Sequence, residues 1–235
     1  MSLVEMLVPA QQLAATNQIQ YPNESAKYRA ARNALLVQEI ELRRHIERVA
    51  ALRRALPPGG EIPKDFELVS ETGWNHLSSL FGDRNTLMVY SMMYGPQRES
   101  PCPMCTSFLS SWNGAAVNLR ERVAIAVTAR SNIDRLIEYK RQRGFLNLPF
   151  LSDSSGEYTR TYVSADDGDV PGFSVFTRHG GVVRHFYSGE VNRAMADPGQ
   201  DPRGAPDLDP LWLMLDLTPE GRGTDWYPEL KYKHK

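Results

Sequence analysis

Several things are scarce in this sequence, and each scarcity narrows its chemistry. Two cysteines in 235 residues exclude a stapled secreted domain, which spreads cysteines along the chain to close long loops. Charge of one sign is also missing. With 27 basic side chains against 28 acidic and a formal net charge of −1, nothing general draws the chain to nucleic acid or an anionic membrane. No apolar run approaches the roughly 20 residues that span a bilayer. Residues 1–22 lack the basic start, apolar stretch and small-residue cleavage site of a secretory signal. The chain is therefore expected to be soluble and cytoplasmic, with no membrane and no nucleic-acid partner. A hydrophobic fraction of 41% with 23% charged residues suffices for a real core.

The pattern along the chain predicts an N-terminal arm and long helix over 1–60 and an α/β domain over 61–235. Residues 1–22 have no sustained period and read as an irregular, loosely docked arm. In 24–56, Tyr28, Leu35, Leu42, Val49 and Leu56 recur every seven residues. Eight Lys or Arg stand against four Asp or Glu there, and Pro57-Pro58-Gly59-Gly60 ends the helix. Packing on its own domain is the plain reading of this helix. A homodimer seam is the alternative, weakened by Gln38 and His45 on the neighbouring line.

Short elements are expected at 67–70 and 76–82. The apolar run 86–94 reads as a buried strand, 106–119 as a helix and 122–128 as a second strand. Ser131 is expected to cap a helix that Gly144 stops. Residues 173–177 and 182–187 flank His179-Gly180-Gly181 as a hairpin, 197–210 is a proline-rich loop, and Asp209-Pro210 opens a last helix. Alternating strands and helices followed by a hairpin predict an α/β fold with a parallel core.

The chemistry is concentrated in Ser100-Pro101-Cys102-Pro103-Met104-Cys105, between the first strand and its helix. Cysteines three apart in a first helical turn lie within disulfide reach. The first sits where free amides and the helix dipole stabilise a thiolate. The second can attack a mixed disulfide on the first, and a ring this tight makes a labile bond. Pro103 fits the first helical position but has no amide to donate, which leaves the extent of that stabilisation open. Zinc needs about four ligands. One Cys-x-x-Cys supplies two, and His45, His76, His179, His185 and His234 lack ligand spacing, so zinc would require a shared dimer site. No metal and no cofactor are expected. Inert buried thiols are the remaining alternative. Tyr90, Tyr94 and Trp112 read as core packing, with a substrate platform as the alternative, and Arg130 as a solvated loop arginine, with charge near the sulfurs as its alternative.

Strand, CPMC, helix, strand, helix, hairpin and terminal helix together resemble the thioredoxin-like fold, a mixed sheet flanked by helices. Val170-Pro171-Gly172-Phe173, ahead of the hairpin turn, resembles the place where thioredoxins carry a cis-proline beside the active site; a trans proline that merely starts an edge strand is the alternative. More narrowly, the chain resembles the bacterial domain of unknown function 899 family, described as predicted dithiol-disulfide oxidoreductases. The residues carrying that likeness are Arg54-Ala55-Leu56-Pro57, Gly95-Pro96 ahead of the cysteines, the 173–176 strand and Leu215-Asp216-Leu217-Thr218-Pro219.

The resemblance implies thiol–disulfide exchange with protein or small-molecule thiols and disulfides. Cys102 would be the nucleophile and Cys105 the resolving thiol, with Val170, Pro171 and Pro103 bordering the substrate. The sequence departs from a thioredoxin's Trp-Cys-Gly-Pro-Cys. It also has Glu99 where a peroxiredoxin has threonine or serine three residues before its reactive cysteine. A thiol peroxidase forming a Cys102 sulfenic acid and a non-catalytic thioredoxin-like binding module stay as alternatives.

Overall fold

Strand β3, Thr86–Ser91, is apolar on both sides because both sides are covered. Leu87 and Val89 point into one core cluster with Phe66, Leu68, Phe81, Tyr158 and Phe176. Tyr90, and Met92 just past the strand, point into the other with both cysteines, Phe108, Leu109 and Trp112. The computed structural model describes residues 7–166, 168–190, 209–219 and 226–232. Most of the expected proline-rich loop over 197–210 lies outside the described residues.

From β3 the chain passes through helix α3, Pro103–Leu119, to strand β4, Ala124–Ala129, then helix α4, Ile133–Arg143, and strand β5, Phe150–Ser152. Helix α5, Glu157–Tyr162, leads to strands β6, Gly172–His179, and β7, Val182–Ser188, and then to helix α6, Pro210–Leu215. A hairpin of β1, Glu67–Ser70, and β2, Gly73–His76, precedes all of this, with a 3-10 turn at Leu77–Phe81.

The sheet order is β2-β1-β5-β4-β3-β6-β7. β4 lies parallel to β3 on one side, and β6 lies antiparallel to it on the other. A parallel β-α-β pair joined edge to edge with an antiparallel hairpin is the thioredoxin-like arrangement. The register sets Gly172 opposite Ser91, which brings the start of β6 to the end of β3 that leads to the cysteines.

Local signals explain most boundaries. Gly144 ends α4 in the left-handed region at φ 69°, where glycine has no Cβ to clash. The cap of α4 is Asn132, whose side chain accepts from the Arg135 amide at 3.0 Å, and not Ser131. The Ser131 hydroxyl instead turns to the Gly95 carbonyl at 3.4 Å, because the loop ahead of the cysteines folds back over it. Strand β3 stops at Ser91, short of the expected Tyr94. Met92 still donates to Thr128 O at 2.9 Å, but the next peptide leaves the ladder to meet the cysteine turn.

The chain divides into two compact units, Met1–Pro57 and Pro58–Lys235. In the first, Ser25 caps helix α2, Ala26–Arg54, by accepting from the Tyr28 amide. The arm expected to be irregular contains helix α1, Ala10–Ala15, whose Ala10 and Ala14 pack on Ile40 beside Leu36 and Val37. The seven-residue line is thus not the packed face within this unit: Tyr28, Leu35, Leu42 and Leu56 are exposed. Among the described residues, no helix is long and apolar enough to cross a membrane.

Residues 59–62 cover the outer edge of β7. The His185 amide donates to Gly60 O at 2.9 Å and the Ile62 amide to Val183 O at 3.1 Å, closing an otherwise open strand edge. A Cβ on Gly59 would fall 2.0 Å from the His185 carbonyl oxygen, and backbone cannot move aside as a flexible side chain can. Gly59→Ala should therefore destabilise the protein by about 1–3 kcal/mol. Thermal unfolding checks this, with the midpoint falling about 2–4 °C for each kcal/mol.

Candidate active site

The two cysteines are held by a single peptide unit on each side of Met93. The Cys102 amide donates to Met93 O at 3.1 Å, and the Met93 amide donates to Cys105 Sγ at 3.5 Å. Cys102 is the cap residue of α3 and Pro103 its first residue, where a missing N–H leaves no helical bond unmade. The Cys102 carbonyl accepts both the Thr106 amide at 3.0 Å and the Thr106 hydroxyl at 2.9 Å. Thr106 Oγ1 also lies 2.7 Å from the Tyr139 hydroxyl of α4, so the first turn of α3 is tied to both flanking elements.

Both thiols are free and buried, Cys102 at 8% exposure and Cys105 at 2%. Cys102 is thus the one nearer solvent. Their acidities diverge. The Cys105 thiol donates to Cys102 Sγ and is the main reason that the Cys102 pKa drops to about 6, from an ordinary value near 8.5. Burial opposes this drop, while the Cys105 and Met104 amides and the Arg98 guanidinium assist it. Pro103 therefore does not abolish the amide cradle, because the next two amides supply it. Cys105 is pushed well above the ordinary range, first by its bond to Cys102 and then by burial. Tyr90 and the Met93 amide, which donates to the Cys105 sulfur at 3.5 Å, pull the other way.

Two long-range contacts shape the approach to Cys102. Arg98 forms an ion pair with Asp169, and a Cβ on Gly95 would sit 3.2 Å from the Asp169 carboxyl carbon. Arg135 stacks over the Tyr94 ring at 4.2 Å and donates to the Arg98 carbonyl and, at 2.9 Å, to the Glu99 carbonyl. The loop ahead of the cysteines is clamped from α4 and from the segment ahead of β6.

Of the remaining expected site residues, Pro103 is half-buried at the start of α3. Val170 and Pro171 are exposed at the start of β6, next to Asp169. The Val170 amide donates to Gly168 O at 2.9 Å, within its own turn. Phe173 meets Trp112 of α3 edge to face at 5.7 Å, which joins β6 to the cysteine helix. Sequence reading missed Arg98, Asp169 and Arg135, while Tyr90 packs in the core against Phe108 and Trp112 as expected. Among the described residues there is no group of three or more His, Cys, Asp or Glu suited to a metal ion.

Fold and site together define a thioredoxin-like protein with an asymmetric Cys-x-x-Cys pair at a helix start. The chain belongs to the DUF899 family, described as bacterial protein of unknown function, whose model matches residues 18–234. No curated protein matches it. Solved structures resembling it include a hypothetical protein from Sinorhizobium meliloti 1021, at 19% identity and TM-score 0.41 over 64% of this chain and 80% of that one. Peroxiredoxin Q from Xanthomonas campestris is similar at 14% identity and TM-score 0.41, over 55% of this chain and 85% of that one. Peroxiredoxin 5 from Alvinella pompejana is similar at 13% and 0.42, over 57% and 88%. These likenesses are shallow, and the fold assignment stands on strand order and register.

The Arg98 guanidinium is a cation that lowers the Cys102 pKa. Arg98→Met should move the pH midpoint of Cys102 alkylation upward and slow alkylation at acidic pH about threefold, the effect of roughly half a pH unit in pKa. Iodoacetamide kinetics over a pH series read this directly, and an unmoved midpoint would show that Asp169 already neutralises the arginine.

Proposed function

We propose that the protein is a thiol–disulfide oxidoreductase acting on protein or small-molecule disulfides, without a cofactor. The observation that carries this reading is the placement of the pair: Cys102 caps α3 and lies nearer solvent, and Cys105 sits behind it at 2% exposure under the Met93 amide. Cys102, down to about 6, is largely thiolate at neutral pH and is the nucleophile. Cys105 keeps its proton and stays buried until a mixed disulfide forms. The Cys102 thiolate attacks R–S–S–R′, forming Cys102–S–S–R and releasing R′S⁻. Cys105 then attacks Cys102 Sγ, giving the Cys102–Cys105 disulfide and RSH. The protein pair is oxidised and the substrate disulfide reduced.

Val170, Pro171 and Pro103 border the substrate in this proposal, with the Val170–Pro171 bond in the cis form that the family resemblance implies. The exposure of Val170 and Pro171 beside the Arg98–Asp169 pair supports their position at the site's rim. A reducing cytoplasm suits a pair that works as a free dithiol.

Alkylation with mass-spectrometric mapping should modify Cys102 first, and Cys105→Ser should accumulate mixed disulfides at Cys102. Faster reaction at Cys105 would reverse the roles. Peroxide consumption outpacing disulfide exchange would move the assignment to a thiol peroxidase.

The exposed line Tyr28, Leu35, Leu42 and Leu56 on α2 supports a homodimer through the N-terminal helix. Burying one leucine typically contributes about 1.5–3 kcal/mol, and a glutamate in its place would carry charge into the seam. Leu42→Glu should convert a dimer to a monomer by light scattering with the fold retained. An unchanged mass would leave the seam unused.

A further inference from the structure

The exchange reading puts Val170 and Pro171 at the rim, and both are exposed. What holds them there decides how ready the site is for a substrate longer than a single disulfide. The antiparallel ladder of β3 and β6 ends with Ser91 opposite Gly172, and beyond it the two chains still meet. The Asp169 carboxylate lies over Gly95, so close that a Cβ there would sit 3.2 Å from the carboxyl carbon. Gly95 is four residues past Ser91, and Asp169 is three before Gly172. Val170 and Pro171 therefore run between two fixed points and alongside Met93. That residue's carbonyl takes the Cys102 amide, and its amide donates to Cys105 Sγ.

The outer fixed point depends on an ion pair. Arg98 Nε donates to Asp169 Oδ2, joining residues 71 apart in sequence. Arg98 is itself a firm post: its amide donates to Gly95 O at 3.1 Å, and Arg135 of α4 donates to its carbonyl. The bonds on the other partner's side are internal to its own turn. The Gly168 amide donates to Ser164 Oγ at 3.2 Å and the Val170 amide to Gly168 O at 2.9 Å. They shape the turn without tying it to the cysteine loop.

We propose that Asp169 is a positioning residue, which through Arg98 pins the 168–171 segment against the cysteine loop so that a polypeptide disulfide meets an ordered rim. This rests on the exchange reading above and adds Asp169 to the same site. A substrate lying along the rim gains from that order, since an unpinned segment has to be fixed on binding. A small disulfide that meets only the sulfur gains nothing from it.

Two neutral probes report Cys102 attack by releasing the same coloured thione. One is dipyridyl disulfide, and the other is a short uncharged peptide whose cysteine carries a pyridyl disulfide. In each, the Cys102 thiolate forms a disulfide with the attacked sulfur and pyridinethione departs. A change in Cys102 itself acts on both rates, so the ratio of peptide rate to dipyridyl rate reads the rim. Asp169→Ala should lower that ratio about threefold, the weight of a partly exposed ion pair. Arg98→Met should lower it by the same factor and the double variant no further, because either change breaks the same contact. An unmoved ratio in Asp169→Ala, or a double variant in which the two losses multiply, overturns the proposal.

A second measurement is independent of exchange. Arg98→Met leaves the sequence of the pinned segment untouched. In the reduced full chain, it should make the amides of Gly168, Asp169 and Val170 exchange with deuterium about threefold faster. Unmoved amide exchange defeats the pin. A wild type whose Cys102 releases thione from neither probe defeats the exchange reading, and the amides still decide the pin.

Discussion

Everything at the site is referred to the backbone of Met93. Its carbonyl takes the Cys102 amide and its amide reaches Cys105 Sγ, so one residue at the end of the central strand fixes both cysteines. The helix start cannot drift along the sheet without breaking both bonds. The same bonds explain why β3 leaves the ladder after Ser91 although the apolar run continues.

The split between the two thiols follows from position. Cys102, at the cap, gathers the Cys105 thiol, two free amides and a cation. Cys105, three residues into the helix and on its inner side, gathers burial and a neighbouring negative charge. Hydrogen bonding outweighs desolvation at the first position; at the second, the bond to Cys102 raises the pKa most and desolvation adds to it. The cation is held by contacts far apart in sequence: Asp169 fixes the Arg98 side chain, and Arg135 fixes its carbonyl.

Much of this was legible because its signals are local. The hairpin turn, the stop at Gly144, the proline at the first position of α3 and the Cys-x-x-Cys spacing each declare themselves within a few residues. The strings that carry the family resemblance, Arg54-Ala55-Leu56-Pro57 and Leu215-Asp216-Leu217-Thr218-Pro219 among them, are short as well, and the family match spans 18–234. What stayed hidden was short or long-range. Strand β5 has three residues and α1 six, too few for a period to show. Ser131 and Asn132 are both competent caps, and only the loop returning over Ser131 decides between them. The Arg98–Asp169 pair joins segments that no spacing rule connects.

The central claim is that Cys102 and Cys105 act as one two-electron couple. Equilibrating the protein across a graded series of dithiol and disulfide buffers, quenching with acid and counting alkylated thiols by mass tests it most directly. The account predicts that both cysteines are lost together in a single two-electron transition, as an intramolecular disulfide. Two thiols that stay alkylatable at every potential, or that pair only between chains, would contradict it.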